Sequence, residues 1–274
     1  MKIIDCFTFF NELDLLEIRL NELDDVVDYF VLVEASKTQS MNAKSFYFDE
    51  NRDRYSKFLD KIIHIKIENY PNFNSSWDME NYQRDCISNG LAILSENNLI
   101  EDSDIVMVSD LDEIPSKNSV SVVKEAKSDT GSIDLDFFVY FMNFKTNRTW
   151  RGPAYCTFEK IRSGVYSPQK LRNIRMSLPL LTEPQCSGWH FGWMGGFERL
   201  YTKLFSCIEP LDKSKIPPFD EYVTLMKNSI MNKTFYNIDY SPNSETFITV
   251  TLENQVYPQY LVDNMSKFKE YFYV

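Results

Sequence analysis

The sequence predicts an α/β fold on a mostly parallel central sheet, and three observations lead there. Through the first 110 positions, short apolar runs alternate with amphipathic helical runs in a βαβαβαβ order. That order places the strands in parallel, joined by right-handed crossovers. The fourth apolar run, Asp104-Ile105-Val106-Met107-Val108-Ser109, leads into Asp110-Leu111-Asp112-Glu113-Ile114-Pro115, so two carboxylates sit one residue apart where the chain leaves the sheet. In open α/β sheets, that end of a strand is where ligands bind. Apolar residues make up 43% of the 274 positions, enough for one large core.

Positions 3–9 read as the first strand and 12–23 as an amphipathic helix, with Leu13, Leu16, Leu20 and Leu23 on one stripe. Positions 29–33 form a second strand that ends at Glu34-Ala35-Ser36, and a helix near 52–59 leads to a third strand at 62–67. Positions 77–96 predict one long helix, with Tyr82, Cys86, Ile87, Leu91 and Leu94 on its apolar face and Gln83 and Arg84 off it. The fourth strand, 104–109, follows. No Gly-x-Gly-x-x-Gly follows the first strand, so a dinucleotide fingerprint is absent.

The second half is less regular. Positions 132–144 read as a strand with two apolar faces, hence buried on both sides, and 155–161 as another. Positions 187–196 hold the densest cluster of glycine and aromatic residues in the chain. Helices are expected at 197–208 and 219–230, separated by Pro217-Pro218, and the tail 257–272 is expected to end in an amphipathic helix. No repeat or low-complexity linker interrupts the chain. The expected organisation is a main domain over 1–210 with a helical C-terminal extension, 211–274, packed on it.

Charge and cysteine content narrow the function. Forty acidic against 29 basic side chains give a net charge of -11, which argues against a nucleic-acid partner. The five cysteines, Cys6, Cys86, Cys156, Cys186 and Cys207, are widely spaced with no Cys-x-x-Cys pair, and read as reduced thiols. The opening run is too short and too acidic for a signal peptide. No stretch approaches the roughly 20 apolar residues that span a bilayer. A cytoplasmic location is therefore expected, and the Asn-x-Ser/Thr triplets at Asn74, Asn147, Asn232 and Asn264 read as chance matches.

The acidic run carries the chemistry. Alternate side chains of a strand point the same way, so Asp110 and Asp112 converge at its carboxyl end. Mg²⁺ takes one or two carboxylates plus substrate phosphates, which makes a metal–diphosphate site one reading of this run. An acidic turn after a buried strand is the other.

Several segments together resemble glycosyltransferase family 17. They are Phe10-Asn11-Glu12-Leu13-Asp14-Leu15-Leu16-Glu17-Ile18-Arg19, Glu22-Leu23 through Val26-Val27-Asp28, Phe30-Val31-Leu32-Val33-Glu34, the acidic turn 110–115, and Gly188-Trp189-His190-Phe191-Gly192-Trp193. The likeness spans most of positions 7 to 205 and fades after Cys207. It implies a GT-A-type, Rossmann-like glycosyltransferase fold with the nucleotide-sugar site in the main domain. It also implies Mn²⁺ or Mg²⁺ held by Asp-x-Asp on the diphosphate of a UDP-sugar, N-acetylglucosamine as the sugar, and a carbohydrate acceptor. Transfer in this family inverts the anomeric centre, so one displacement needs a base for the acceptor hydroxyl.

Carried onto this sequence, Asp112 is the first expected metal ligand, and Asp110 binds the metal through water or reaches the ribose. His190 is either a third ligand, as a neutral imidazole, or a core histidine. Glu34 is expected to accept hydrogen bonds from uracil or ribose. Arg84 either pairs with the diphosphate or braces the acidic turn, and Lys203 reaches phosphate. Glu198, at a helix start after Gly195-Gly196-Phe197, is the expected base, with Glu113 and Asp136 next. Trp189 and Trp193 either stack on sugar faces or fill the core, and His64 is assigned no role. Two other classes stay open: a haloacid-dehalogenase-like phosphatase with Asp110 as nucleophile, and a non-catalytic sugar-binding module.

Overall fold

The computed structural model describes residues 1–73, 75–126, 128–181, 187–208, 212–235 and 246–273; Cys186 and Asn74 lie outside them. In chain order the elements are β1 (Ile3–Phe9), α1 (Leu13–Leu23), β2 (Tyr29–Ala35), α2 (Tyr47–Glu50), a 3-10 segment (Arg52–Phe58), β3 (Ile62–Ile67), α3 (Ser76–Asp85), α4 (Ile87–Glu96), β4 (Ile105–Asp110) and β5 (Glu113–Pro115). Then follow α5 (Lys117–Glu125), β6 (Thr130–Tyr140), β7 (Phe144–Thr157), α6 (Phe158–Arg162), α7 (Pro168–Asn173), β8 (Gly188–Met194), α8 (Gly196–Ser206), α9 (Phe219–Met231), β9 (Phe247–Thr249) and α10 (Gln259–Asp263).

The fold is of the α/β class. The sheet runs β3-β2-β1-β4-β7-β6-β8-β5, with β9 on β7. Its first four strands are parallel throughout. The later strands add one parallel pairing, β6 with β8, and antiparallel pairings of β7 with β4, β6 and β9 and of β5 with β8. Strand β1 lies between β2 and β4, so the connections diverge there and leave a crevice at the carboxyl ends of all three strands. Side-chain alternation splits the core in two. Phe7, Phe30 and Leu32 face α1, whereas Ile4, Cys6, Val31 and Val33 face α4.

Three elements differ from expectation. The long helix breaks at Cys86, so α4 lies flat on the sheet with Ile87, Leu91 and Leu94 buried, while α3 carries Glu80, Gln83 and Arg84 toward the crevice. Gly90 permits that packing: a Cβ there would stand 2.4 Å from Val31 Cγ1. The strand expected at 155–161 is the end of β7, and from Phe158 the chain turns into α6. The tail forms only the five-residue α10 and a 3-10 turn, Lys269–Tyr271. Tyrosine hydroxyls hold it to α1: Tyr271 donates to Asp14 (2.6 Å) and Tyr260 to Glu17. The four described cysteines are free thiols. Among the described residues, no helix is long and apolar enough to cross a membrane.

Candidate active site

A cavity of about 580 Å³ opens at the carboxyl ends of β1, β2 and β4, within the range of small-molecule sites. Thr8 to Phe10 and Glu12 come from the end of β1, Lys37 to Gln39 from beyond β2, and Asp110 to Glu113 from the turn between β4 and β5. The far wall is aromatic and includes Phe137, Trp150, His190 and Trp193. The cavity forms here because parallel strands end together on one edge, and no later strand of that half covers the edge.

The two aspartates of the turn have different surroundings. Asp110 is held between two buried arginines. Arg84 Nη2 donates to Oδ1 (2.7 Å) and Arg172 Nη2 to Oδ2 (2.9 Å). Arg84 also binds Glu80 and Gln169; Arg172 also binds Glu113 and the Gly152 carbonyl. Burial alone would raise the Asp110 carboxyl, but the two guanidinium charges outweigh it and hold it well below the usual range. Each oxygen of Asp110 is thus engaged by an arginine, which leaves it ill-suited to act as a phosphatase nucleophile. Of the two readings for Arg84, the brace is the one its geometry fits.

Asp112 is 16% exposed and faces the cavity, with His190 Nε2 3.7 Å from one oxygen and Lys203 Nζ 3.9 Å from the other. Burial pushes its carboxyl up to about 7, with Asp110 and Glu113 adding to the rise and Lys203 pulling against it. His190 stands opposite Glu113 across the β5–β8 pairing. It stacks on Phe137 (4.6 Å, 11°), and Trp150 lies against it at 4.6 Å. Burial, with Lys203 and Arg172 nearby, holds its imidazole neutral, and its buried Nδ1 has no hydrogen-bond partner among the described residues. Burial opposes the Lys203 charge, but Asp112 and Glu12 prevail and raise its pKa.

The structure therefore brings Asp110, Asp112, Glu113, Arg84, His190 and Lys203 together. It does not bring Glu34 or Glu198. Glu34 is fully buried, and its oxygens accept from Lys44 Nζ (2.8 Å) and from the backbone N–H groups of Tyr47 and Phe48. Its carboxylate anchors the start of α2 and offers nothing to a uracil or ribose. Glu198 is exposed and does not line the cavity. On α8 it stands five residues from Lys203, about 140° around the helix at roughly 100° per residue. Asp136 pairs with Lys145 (2.7 Å) and Gln255, away from the cavity wall. Trp189 is a core residue, whereas Trp193 lines the cavity at φ 57° with Lys203 over its ring.

Sequence reasoning missed Arg172, Trp150 and Glu12. Trp150 donates its indole N–H to Glu113. Glu12 lines the cavity and accepts the backbone N–H groups of Phe10 (3.2 Å) and Asn11 (3.0 Å). Nothing local marks Arg172 as buried, but Glu12 was visible as an acid directly after the first strand, the counterpart of the acids after the fourth.

The family model for glycosyltransferase family 17 matches residues 1–199. Beta-1,4-mannosyl-glycoprotein 4-beta-N-acetylglucosaminyltransferase of Rattus norvegicus is 24% identical over 232 residues, covering 75% of this chain and 42% of that protein. Its Homo sapiens counterpart is 24% identical over 232 residues, covering 75% and 43%. The chain thus spans about two fifths of the length of these curated relatives. Among solved structures, a 4-diphosphocytidyl-2C-methyl-D-erythritol synthase aligns with a TM-score of 0.45 at 12% identity, covering 75% of this chain and 99% of that one. The mannosyltransferase PcManGT from Pyrobaculum calidifontis, in complex with GDP-Man and Mn2+, aligns at 0.41 and 11%, covering 84% and 69%. The family match runs from the first strand to the start of α8 and covers well over half of the chain, so this chain belongs to glycosyltransferase family 17.

Proposed function

We propose that this chain is a metal-dependent, inverting glycosyltransferase that moves N-acetylglucosamine from a UDP-sugar to a hydroxyl of a glycan. The observation that carries this reading is Asp112. It is a cavity-facing carboxylate at the carboxyl end of β4, unpaired by any arginine that an ion pair records among the described residues, with a neutral imidazole beside it. Asp112 and His190 suit a hard divalent cation, and burial leaves Asp112 with a strong gain from a nearby positive charge. Mg²⁺ takes one or two carboxylates and completes its coordination with substrate phosphates. Held there, such an ion would supply Lewis-acid stabilisation of the charge on the departing UDP oxygen.

The chain's own groups supply the rest. Arg84 and Arg172 keep Asp110 ionised and fixed at the cavity, next to Asp112. Lys203 adds a cationic group for a diphosphate oxygen. Trp193 and Trp150 give a sugar ring an apolar wall. Glu12 takes the place of Glu198 as the proposed base: it lines the cavity, and backbone N–H groups rather than an arginine orient it. Single displacement then needs only proton removal from the acceptor hydroxyl. The names of the curated relatives support N-acetylglucosamine as the sugar.

A donor screen by UDP release tests the reading. UDP-N-acetylglucosamine with Mn²⁺ should release UDP, and chelation should stop it. Equal or greater turnover of GDP-mannose would remove the donor assignment. Metal-independent turnover would remove the role of Asp112.

A further inference from the structure

We infer that Arg19, in the middle of α1, is the positioning residue of the acidic turn. Helix α1 is amphipathic, and its inward stripe of Leu16, Leu20 and Leu23 packs under the sheet. Arg19 lies in that stripe with no exposed surface. Its guanidinium sits 4.5 Å over the Phe7 ring, and one edge is neutralised by Asp5 on β1, itself fully buried, at 2.8 Å and 2.6 Å. If Arg19 served only to pair with Asp5, its remaining N–H groups would find whatever partners were near. Instead, Nη2 donates to Ser109 Oγ (2.7 Å), and Nη1 collects three main-chain carbonyls of one turn: Asp110 (2.9 Å), Leu111 (3.0 Å) and Glu113 (2.9 Å). The remaining carbonyl, that of Asp112, accepts from Phe191 N (2.9 Å) on β8.

All four carbonyls from 110 to 113 are therefore tied down. A turn left to itself exposes such carbonyls to solvent, where they compete with side chains for a cation. Here the backbone oxygens are drawn inward and sideways, and side chains of the turn, Asp110 and Asp112 among them, are what reach the cavity. An arginine is required because its planar fork spans Asp5 and Ser109 on one side and the turn on the other. A lysine ammonium donates from a single point and cannot reach both sets.

This role rests on the proposed use of the turn as the donor's metal site, so the test separates the two. The variant Asp5→Val/Arg19→Met removes both buried charges together, a change that buried pairs tolerate. Arg19→Lys keeps the charge for Asp5 and serves if the double variant does not fold. Hydrogen exchange of the amides in 109–114, read by mass spectrometry, reports the turn directly and needs no ligand. Calorimetry of UDP with Mn²⁺ and with chelator reports the site. The expected result is a cooperative melt, so that the variant is folded, and at least tenfold faster exchange confined to the turn. A tenfold or greater loss of UDP affinity in Mn²⁺, with none in chelator, should accompany it. Unchanged turn exchange in a folded variant overturns the role of Arg19. A wild-type protein whose UDP affinity ignores Mn²⁺ overturns the metal reading, while the exchange data still decide Arg19.

Discussion

Replacing Arg172 with methionine tests how the acidic turn is held. Arg172 Nη2 bridges Asp110 and Glu113, with side-chain exposures of 6% for the arginine and 1% for Glu113. The 2.9 Å contact with Asp110 corresponds to an attraction of about 6 kcal/mol at an effective dielectric of about 20. Most of that offsets the cost of burying the charges, so it is not the worth of the pair. Deleting one partner is different, because the Glu113 carboxylate stays buried without the arginine. Losses in such cases run about 3–5 kcal/mol. Arg172→Met should therefore lower the melting midpoint by on the order of 6–20 °C in a chain of this size. Arg162 supplies the control. It also makes two charged hydrogen bonds, from Nε and Nη2 to the two oxygens of Asp102, 2.7 Å on each arm, but both side chains are about half exposed. Arg162→Met should leave the midpoint within error, since solvent screens that pair. Calorimetric melts of both variants decide the matter. Equal losses from the two would refute the argument that burial makes the Arg172 contacts matter.

Asp112→Asn should abolish the Mn²⁺-dependent part of UDP binding with the melt retained; calorimetry with and without Mn²⁺ that finds the dependence intact would remove Asp112 from the site. Glu12→Gln should keep donor affinity and slow single-turnover transfer by roughly 10²-fold or more, the scale of general-base catalysis, whereas Glu198→Gln should transfer at nearly the wild-type rate. The C-terminal segment should loosen in acid. Burial raises the carboxyls of Asp14 and Glu17, but hydrogen bonds outweigh it and leave both lowered, from Tyr271 and Arg54 to Asp14 and from Lys267, Tyr260 and Arg54 to Glu17. Their stabilisation is full above the unfolded carboxylate values, near pH 4, and is lost as pH falls through the lower folded values. Melts from pH 6 to pH 3 should fall more steeply for wild type than for Asp14→Asn/Glu17→Gln, and parallel curves would rule this clasp out.

Much of the first half was legible because its signals are local. Strands 3–9 and 62–67 fall where the apolar runs put them, and the acids of the turn follow β4 directly. Periodicity also held information about faces. Glu34 has the same parity in β2 as Phe30 and Leu32, which face α1 in the core, and that parity already set it apart from a ligand-facing position. Glu198 stands two residues before the buried Leu200, on the opposite side of α8. Strand β7 was hidden because its middle, Lys145 to Trp150, is largely polar and reads as a loop until β6 and β9 supply its partners.

What the sequence determined by itself is the α/β class, the family likeness and an acidic turn at a strand end, because each depends on residues adjacent in the chain or repeating with a fixed period. What only the tertiary structure decided is the division of labour within that turn. Asp110 and Asp112 are two residues apart and chemically identical, yet one is clamped by Arg84 and Arg172 while the other faces a neutral histidine and a lysine. Those partners come from α3, α7, β8 and α8, separated in sequence from the aspartates they face by 26 to 91 positions (110 − 84 and 203 − 112). A buried arginine has the same letter as a solvated one. Coulomb energy depends on distance and burial, and neither exists until the chain has folded.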